Sequence, residues 1–70
     1  MLRPEKHSLT VHGHRTSVSL EPEFWAEFRT LAASRCQTLN HLAAEIDQTR
    51  GEVGLASAIR VFVLRAALRQ

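Results

Sequence analysis

The sequence predicts a mainly α-helical domain introduced by a short N-terminal β-ribbon. Two observations carry this. Residues 6–20 alternate apolar and polar side chains with a change of phase at His12-Gly13. Residues 22–68 place apolar side chains at three- and four-residue spacing in three runs separated by breaks. Seventy residues make one domain, expected over residues 6–70 behind a flexible lead of residues 1–5.

In the ribbon, Leu9 and Val11 hold odd positions, whereas Thr16, Val18 and Leu20 hold even ones. A two-residue turn at His12-Gly13 accounts for the switch, since Gly supplies the positive φ that tight hairpins demand. Pairing Val11 with His14 then sets Leu9 opposite Thr16, His7 opposite Val18 and Lys6 opposite Ser19. One face collects His7, Leu9, Val11, His14, Thr16, Val18 and Leu20. The other collects Lys6, Ser8, Thr10, Arg15, Ser17 and Ser19. An apolar face backed by a wholly polar one is the pattern of a half-buried antiparallel ribbon. The competing arrangement is a single strand over residues 14–20 behind an irregular or bulged arm; the hairpin is favoured.

Glu21-Pro22-Glu23 opens the first helix: Pro suits the first turn, and the acids suit the positive end of the helix dipole. Phe24, Trp25, Phe28, Leu31 and Ala32 form its stripe to about Ser34, and Arg35-Cys36-Gln37 breaks it. Thr38 is placed to cap a second helix with the stripe Leu39, Leu42, Ala43 and Ile46. Gly51-Glu52-Val53-Gly54 is a loop. Leu55 to Leu68 forms a third helix, with Leu55, Ile59, Phe62, Val63 and Ala66 inward and Arg60, Arg65 and Arg69 largely outward.

A chain of 7.9 kDa buries only about 60% of the surface its unfolded form exposes, so such domains often need a disulfide, a metal or a second chain. One cysteine, Cys36, rules out an internal disulfide, which leaves a homodimer as the expected remedy. Hydrophobic content of 44% with 23% charged residues excludes a disordered chain. No apolar run approaches the roughly 18 residues of a membrane span. Residues 1–7 lack the apolar stretch of a secretory signal, and the lone thiol agrees with a reducing cytoplasm. The net charge of +2 is unevenly placed. Basic residues prevail at both ends, and Arg60, Arg65 and Arg69 stand in a final stretch without any acid. An anionic partner for one face is expected.

Catalysis finds no support. The carboxylates fall at helix starts or on solvent faces, and no Ser-His-Asp context, Gly-rich phosphate loop or Cys-His dyad is present. The expectation is no enzyme and no cofactor. His12 and His14 form a His-x-His pair with His7 nearby, but the hairpin register does not bring the three together, so surface histidines are expected rather than a metal site. His41 stands alone. Cys36 would sense redox state only if Arg35 and the following helix start stabilised its thiolate; an inert loop thiol is the expected reading.

The stretch His14-Arg15-Thr16-Ser17-Val18-Ser19-Leu20-Glu21-Pro22-Glu23-Phe24-Trp25, followed by a helix, a three-residue break and Thr38-Leu39 opening another, resembles the ribbon-helix-helix superfamily. Its Ser17-to-Trp25 block together with Ser57-Ala58-Ile59-Arg60-Val61-Phe62-Val63-Leu64 is similar to a bacterial subfamily of small ribbon-helix-helix domain proteins. The resemblance covers the chain from about residue 7. It implies an intertwined homodimer in which one strand of each chain, residues 14–20, forms a ribbon over a helical core and enters the DNA major groove. Arg15, Ser17 and Ser19 would then contact bases, and Lys6, Thr38 and Leu39 phosphates. Val18, Leu20, Trp25, Phe28, Leu42, Ile46, Ile59 and Phe62 would form the dimer core.

The implied function is sequence-specific DNA binding, most simply by a transcriptional repressor. The alternative is a protein-interaction module, antitoxin-like or scaffolding, whose third helix offers its arginines to an acidic protein partner. Three departures stand out: Cys36 where the interhelical break usually holds Gly, a third helix, and an extra N-terminal strand. A left-handed backbone at Cys36 would cost about 1–2 kcal/mol.

Overall fold

The computed structural model describes residues 3–69; Met1 and Leu2 of the expected lead, and Gln70, lie outside the described residues. Strands β1 (Glu5–Val11) and β2 (His14–Leu20) form a two-stranded antiparallel sheet, followed by helices α1 (Pro22–Ser34), α2 (Leu39–Thr49) and α3 (Leu55–Leu68). The hairpin is therefore formed, and the single strand behind an irregular arm is not. Its register pairs Val11 with His14, Leu9 with Thr16, His7 with Val18 and Lys6 with Ser19, and it extends to Glu5 opposite Leu20. β1 thus begins one residue inside the expected lead, where the Glu5 carbonyl accepts a hydrogen bond from Trp25 Nε1 at 2.8 Å.

The turn takes positive φ at both central residues, 52° at His12 and 80° at Gly13. That is the primed geometry whose twist matches the flanking strands. Histidine is among the few residues besides glycine that enter this region with some frequency.

The apolar face of the hairpin lies on the helices. Leu9, Val11, Val18 and Leu20 are buried with Trp25, Phe28 and Ala32 of α1, Leu42, Ala43 and Ile46 of α2, and Ile59 and Val63 of α3. Leu20, Trp25, Phe28 and Ile59 have no exposed surface. Of the eight residues expected to meet across a dimer, seven are closed off inside one protomer, and only Phe62 remains half-buried. The two additions to the minimal fold explain this: β1 widens the ribbon, and α3 supplies the third helical wall.

Helix α1 ends in a Schellman motif. Cys36 donates to the Ala33 carbonyl at 3.0 Å and Gln37 to the Ala32 carbonyl at 2.9 Å, with Cys36 at φ 56°. This is the left-handed position at which the break usually holds Gly. Thr38 caps α2, its Oγ1 accepting from the His41 N–H at 3.1 Å.

Candidate nucleic-acid interface

The outward face of the hairpin is made by period-two alternation alone. Lys6, Ser8 and Thr10 of β1 stand opposite Ser19, Ser17 and Arg15 of β2, and all six are exposed. The face holds two cations and no carboxylate. Its hydroxyls can donate or accept, and the Arg15 guanidinium carries five donors in a fork suited to the O6 and N7 edge of guanine.

Each edge of this sheet carries one side-chain contact among the described residues. Across a two-residue loop the flanking pair, Val11 and His14, is hydrogen-bonded, and such pairs alternate along the ladder. The N–H and C=O groups of Lys6, Ser8 and Thr10 therefore point away from β2, and those of Arg15, Ser17 and Ser19 away from β1. The contacts agree with this alternation. On the β1 edge, the Thr10 N–H donates to Asn40 Oδ1 of α2 at 3.0 Å. On the β2 edge, Arg60 of α3 donates to the Ser19 carbonyl at 3.3 Å. Between Arg15 and Ser17 the β2 edge has no partner among the described residues.

Arg60 is itself held. Its Nε donates to Glu21 Oε1 at 3.0 Å, and its guanidinium lies 5.9 Å from the centre of the Phe24 ring. The Arg60 hydrogen bond, and next the backbone N–H of Glu21 itself, lower the Glu21 carboxyl below its ordinary value. The start of α1, the end of β2 and the middle of α3 are thereby joined.

The other expected sites fall at the two ends of the ribbon. Lys6 is paired with Ser19 at the end far from the turn. The first turn of α2, with exposed Thr38 and half-buried Leu39, is tied by Asn40 to Thr10 near the turn. Lys6 and Thr10 are four strand residues apart, about 14 Å. The Thr38 hydroxyl is committed to its cap, so Leu39 and Asn40 bring the N–H groups that a helix start leaves unused.

The histidines are engaged separately. His7 meets Trp25 edge-on with ring centres 4.8 Å apart, and His12 Nε2 lies 3.7 Å from Asp47 Oδ2. Among the described residues no group of three or more His, Cys, Asp or Glu side chains could hold a metal ion. Asn40 was not legible as functional in the sequence, and Arg60 read only as one of the outward arginines of the third helix, not as a contact to the ribbon. Arg60 reaches a partner 39 positions away, and Asn40 caps a strand across 30; neither distance leaves a local pattern.

A two-stranded ribbon with a polar outer face, backed by helices, is the architecture of the described residues. The family comparison agrees with the geometry. A family model described as a ribbon-helix-helix domain matches residues 4–67, and the chain belongs to that family. Its members generally bind DNA as transcription regulators, typically as dimers and without enzymatic activity. No curated protein matches the chain. No solved structure matches it either. Among the described residues no helix is long and apolar enough to cross a membrane.

Proposed function

We propose that this chain is a sequence-specific DNA-binding repressor of the bacterial cytoplasm, acting as a homodimer that reads the major groove with its ribbon. The observation that carries this is the outward face of the hairpin: six exposed polar side chains, two of them cationic and none acidic, on a domain of this family. Arg15, Ser17 and Ser19 contact base edges, with Arg15 the main discriminator. Lys6 and the first turn of α2, at Thr38 and Leu39, meet phosphates at opposite ends of the ribbon.

The dimer in this reading forms edge to edge, β2 against β2 of a second copy about an axis near Ser17. Family membership points to β2 as the paired strand, and its edge is open for pairing: the backbone groups at Arg15 and Ser17 are unpartnered among the described residues, as those of Lys6 and Ser8 are on β1. The resulting sheet has four strands, and its outer axes lie about 14 Å apart. The major groove is about 12 Å wide. The central β2 pair therefore enters the groove, and the outer strands ride over its walls. Sheet twist turns each outer strand by about 20–25° from its neighbour and carries Lys6 toward the sugar–phosphate ridge.

The test is a titration of the purified protein against a labelled fragment of its own upstream region and a scrambled control, at two salt concentrations. Specific binding tighter than the control by about 10³-fold or more is expected. Arg15→Ala should abolish this preference while leaving the dimer intact. Equal, salt-sensitive binding to both fragments, unaffected by Arg15→Ala, refutes base reading. A light-scattering mass of one 7.9 kDa chain rather than two at micromolar concentration refutes the dimer.

A further inference from the structure

On the side of the molecule formed by the helices alone lies an open groove of about 620 Å³ between the end of α1, the C-terminal half of α2 and the outer side of α3. Its apolar lining includes Leu31, Ile46, Ala58 and Phe62. Four arginines, Arg35, Arg50, Arg65 and Arg69, share the lining, and no carboxylate does. The apolar surface continues along α3 from Val61, which lines the groove, to Leu64 and Leu68 beyond it; the three are 43%, 54% and 75% exposed. These three recur at three- and four-residue spacing and so form one stripe.

We propose that this groove is a docking site for an acidic amphipathic helix of a partner protein. Its apolar side chains would lie between Phe62 and the α3 stripe, and its carboxylates would meet Arg65 and Arg69. The arginines divide into two sets. Arg35 and Arg50 are already engaged. Arg35 lies 3.7 Å from Glu45 and 5.7 Å from the centre of the Phe62 ring, and Arg50 pairs with Asp47 and donates to the Val53 carbonyl. Arg65 and Arg69 are exposed and have no ion-pair partner among the described residues. They are the cations left for an incoming acid. Arg60, on the same helix, does not belong to this surface, because Glu21 and Ser19 hold it at the ribbon.

Charge decides between occupants. A second copy bound across a two-fold axis must present the same patch to itself. It would bring four more arginines and no lining carboxylate, and like charges across an interface oppose binding. DNA would satisfy the arginines but gain nothing from Phe62, Leu31 and Ile46, whose burial requires apolar surface. An apolar groove rimmed by cations is complementary to an acidic helix with anchors at i, i+3 or i+4, and i+7.

The test uses the full chain and two synthetic helical peptides of about 15 residues, roughly four turns. Both carry Leu at the anchor positions; one carries Glu and the other Lys beside them. Expected results are salt-sensitive binding of the Glu peptide, none of the Lys peptide, and amide shifts centred on Phe62 and Arg65 in the ¹⁵N spectrum. Arg65→Glu with Arg69→Glu should weaken the Glu peptide by about tenfold or more. The milder Arg65→Gln with Arg69→Gln, which keeps α3 intact, should weaken it less, and neither pair should change DNA binding. Equal binding of both peptides, or shifts confined to the ribbon, overturns the proposal. Loss of DNA binding in either double variant assigns the groove to DNA, and loss of the dimer assigns it to a second copy; each overturns it as well.

Discussion

Replacing Cys36 with Gly should stabilise the protein. Cys36 sits at φ 56° in the Schellman turn that closes α1, where the Cβ of any L-residue crowds the following carbonyl at a cost of about 1–2 kcal/mol. Glycine removes that crowding but restores backbone freedom to the unfolded chain, which returns about 0.5–1 kcal/mol. The thiol is exposed, so no packing is lost. The net expectation is a gain of about 0.5–1 kcal/mol. For a domain of this size 1 kcal/mol moves the thermal midpoint by roughly 4–8 °C. The assay is reversible unfolding, by heat and by urea, followed by circular dichroism in reducing buffer. Cys36→Ala is the control, because it removes the sulfur yet keeps the Cβ, and it should stay within about 0.5 kcal/mol of the parent. A Cys36→Gly protein no more stable than Cys36→Ala would refute the assignment of strain to the left-handed backbone.

Thr38→Ala should cost about 1 kcal/mol in urea unfolding, since it leaves the His41 N–H without its cap. Arg60→Gln should give a pH-dependent loss of stability. The Glu21 carboxyl is lowered from its ordinary 4.5 in the folded state, so what Arg60 contributes is present in full above that value and is lost as pH falls through the lowered one. The gap between parent and variant should therefore be constant near neutrality and narrow in acid to what the Ser19 and Phe24 contacts of Arg60 leave; a gap unchanged by acid would contradict the Glu21 pairing. Lys6→Ala should weaken DNA binding alike on specific and scrambled fragments and reduce the slope of log affinity against log salt by about 0.9. A change in sequence preference would instead make Lys6 a base reader.

The hairpin was legible because a period of two is a strong signal and the phase change at His12-Gly13 leaves few ways to fold it. The helices were legible for the same reason at a period of three to four, and the strain at Cys36 followed from its place in the break. What periodicity cannot state is which surface covers a stripe. Trp25, Phe28, Leu42 and Ile59 read as buried, but the pattern is the same whether their cover comes from the same chain or another. Here β1 and α3 of the same chain supply it. Arg60, Arg65 and Arg69 likewise read as one basic face. Their separation into a ribbon latch and a groove rim depends on Glu21, which folding brings to Arg60 from 39 positions away.

A core closed within one protomer also changes what a dimer must do. In an intertwined dimer the two chains share one core, so dissociation and unfolding are one event. Here Leu20, Trp25, Phe28, Leu42 and Ile59 are at most 1% exposed within a single chain, so separating the two copies of the proposed dimer along β2 would remove backbone pairing but uncover none of these side chains. Dilution should then halve the light-scattering mass while the far-ultraviolet circular dichroism of the helices stays constant, and the urea midpoint should vary only weakly with protein concentration. DNA would in turn favour the dimer by binding two ribbons at once, so the dimer should persist to lower protein concentration when an operator fragment is present. Loss of helical signal in step with the loss of mass would show that the copies share their core, and the edge-to-edge dimer would fall.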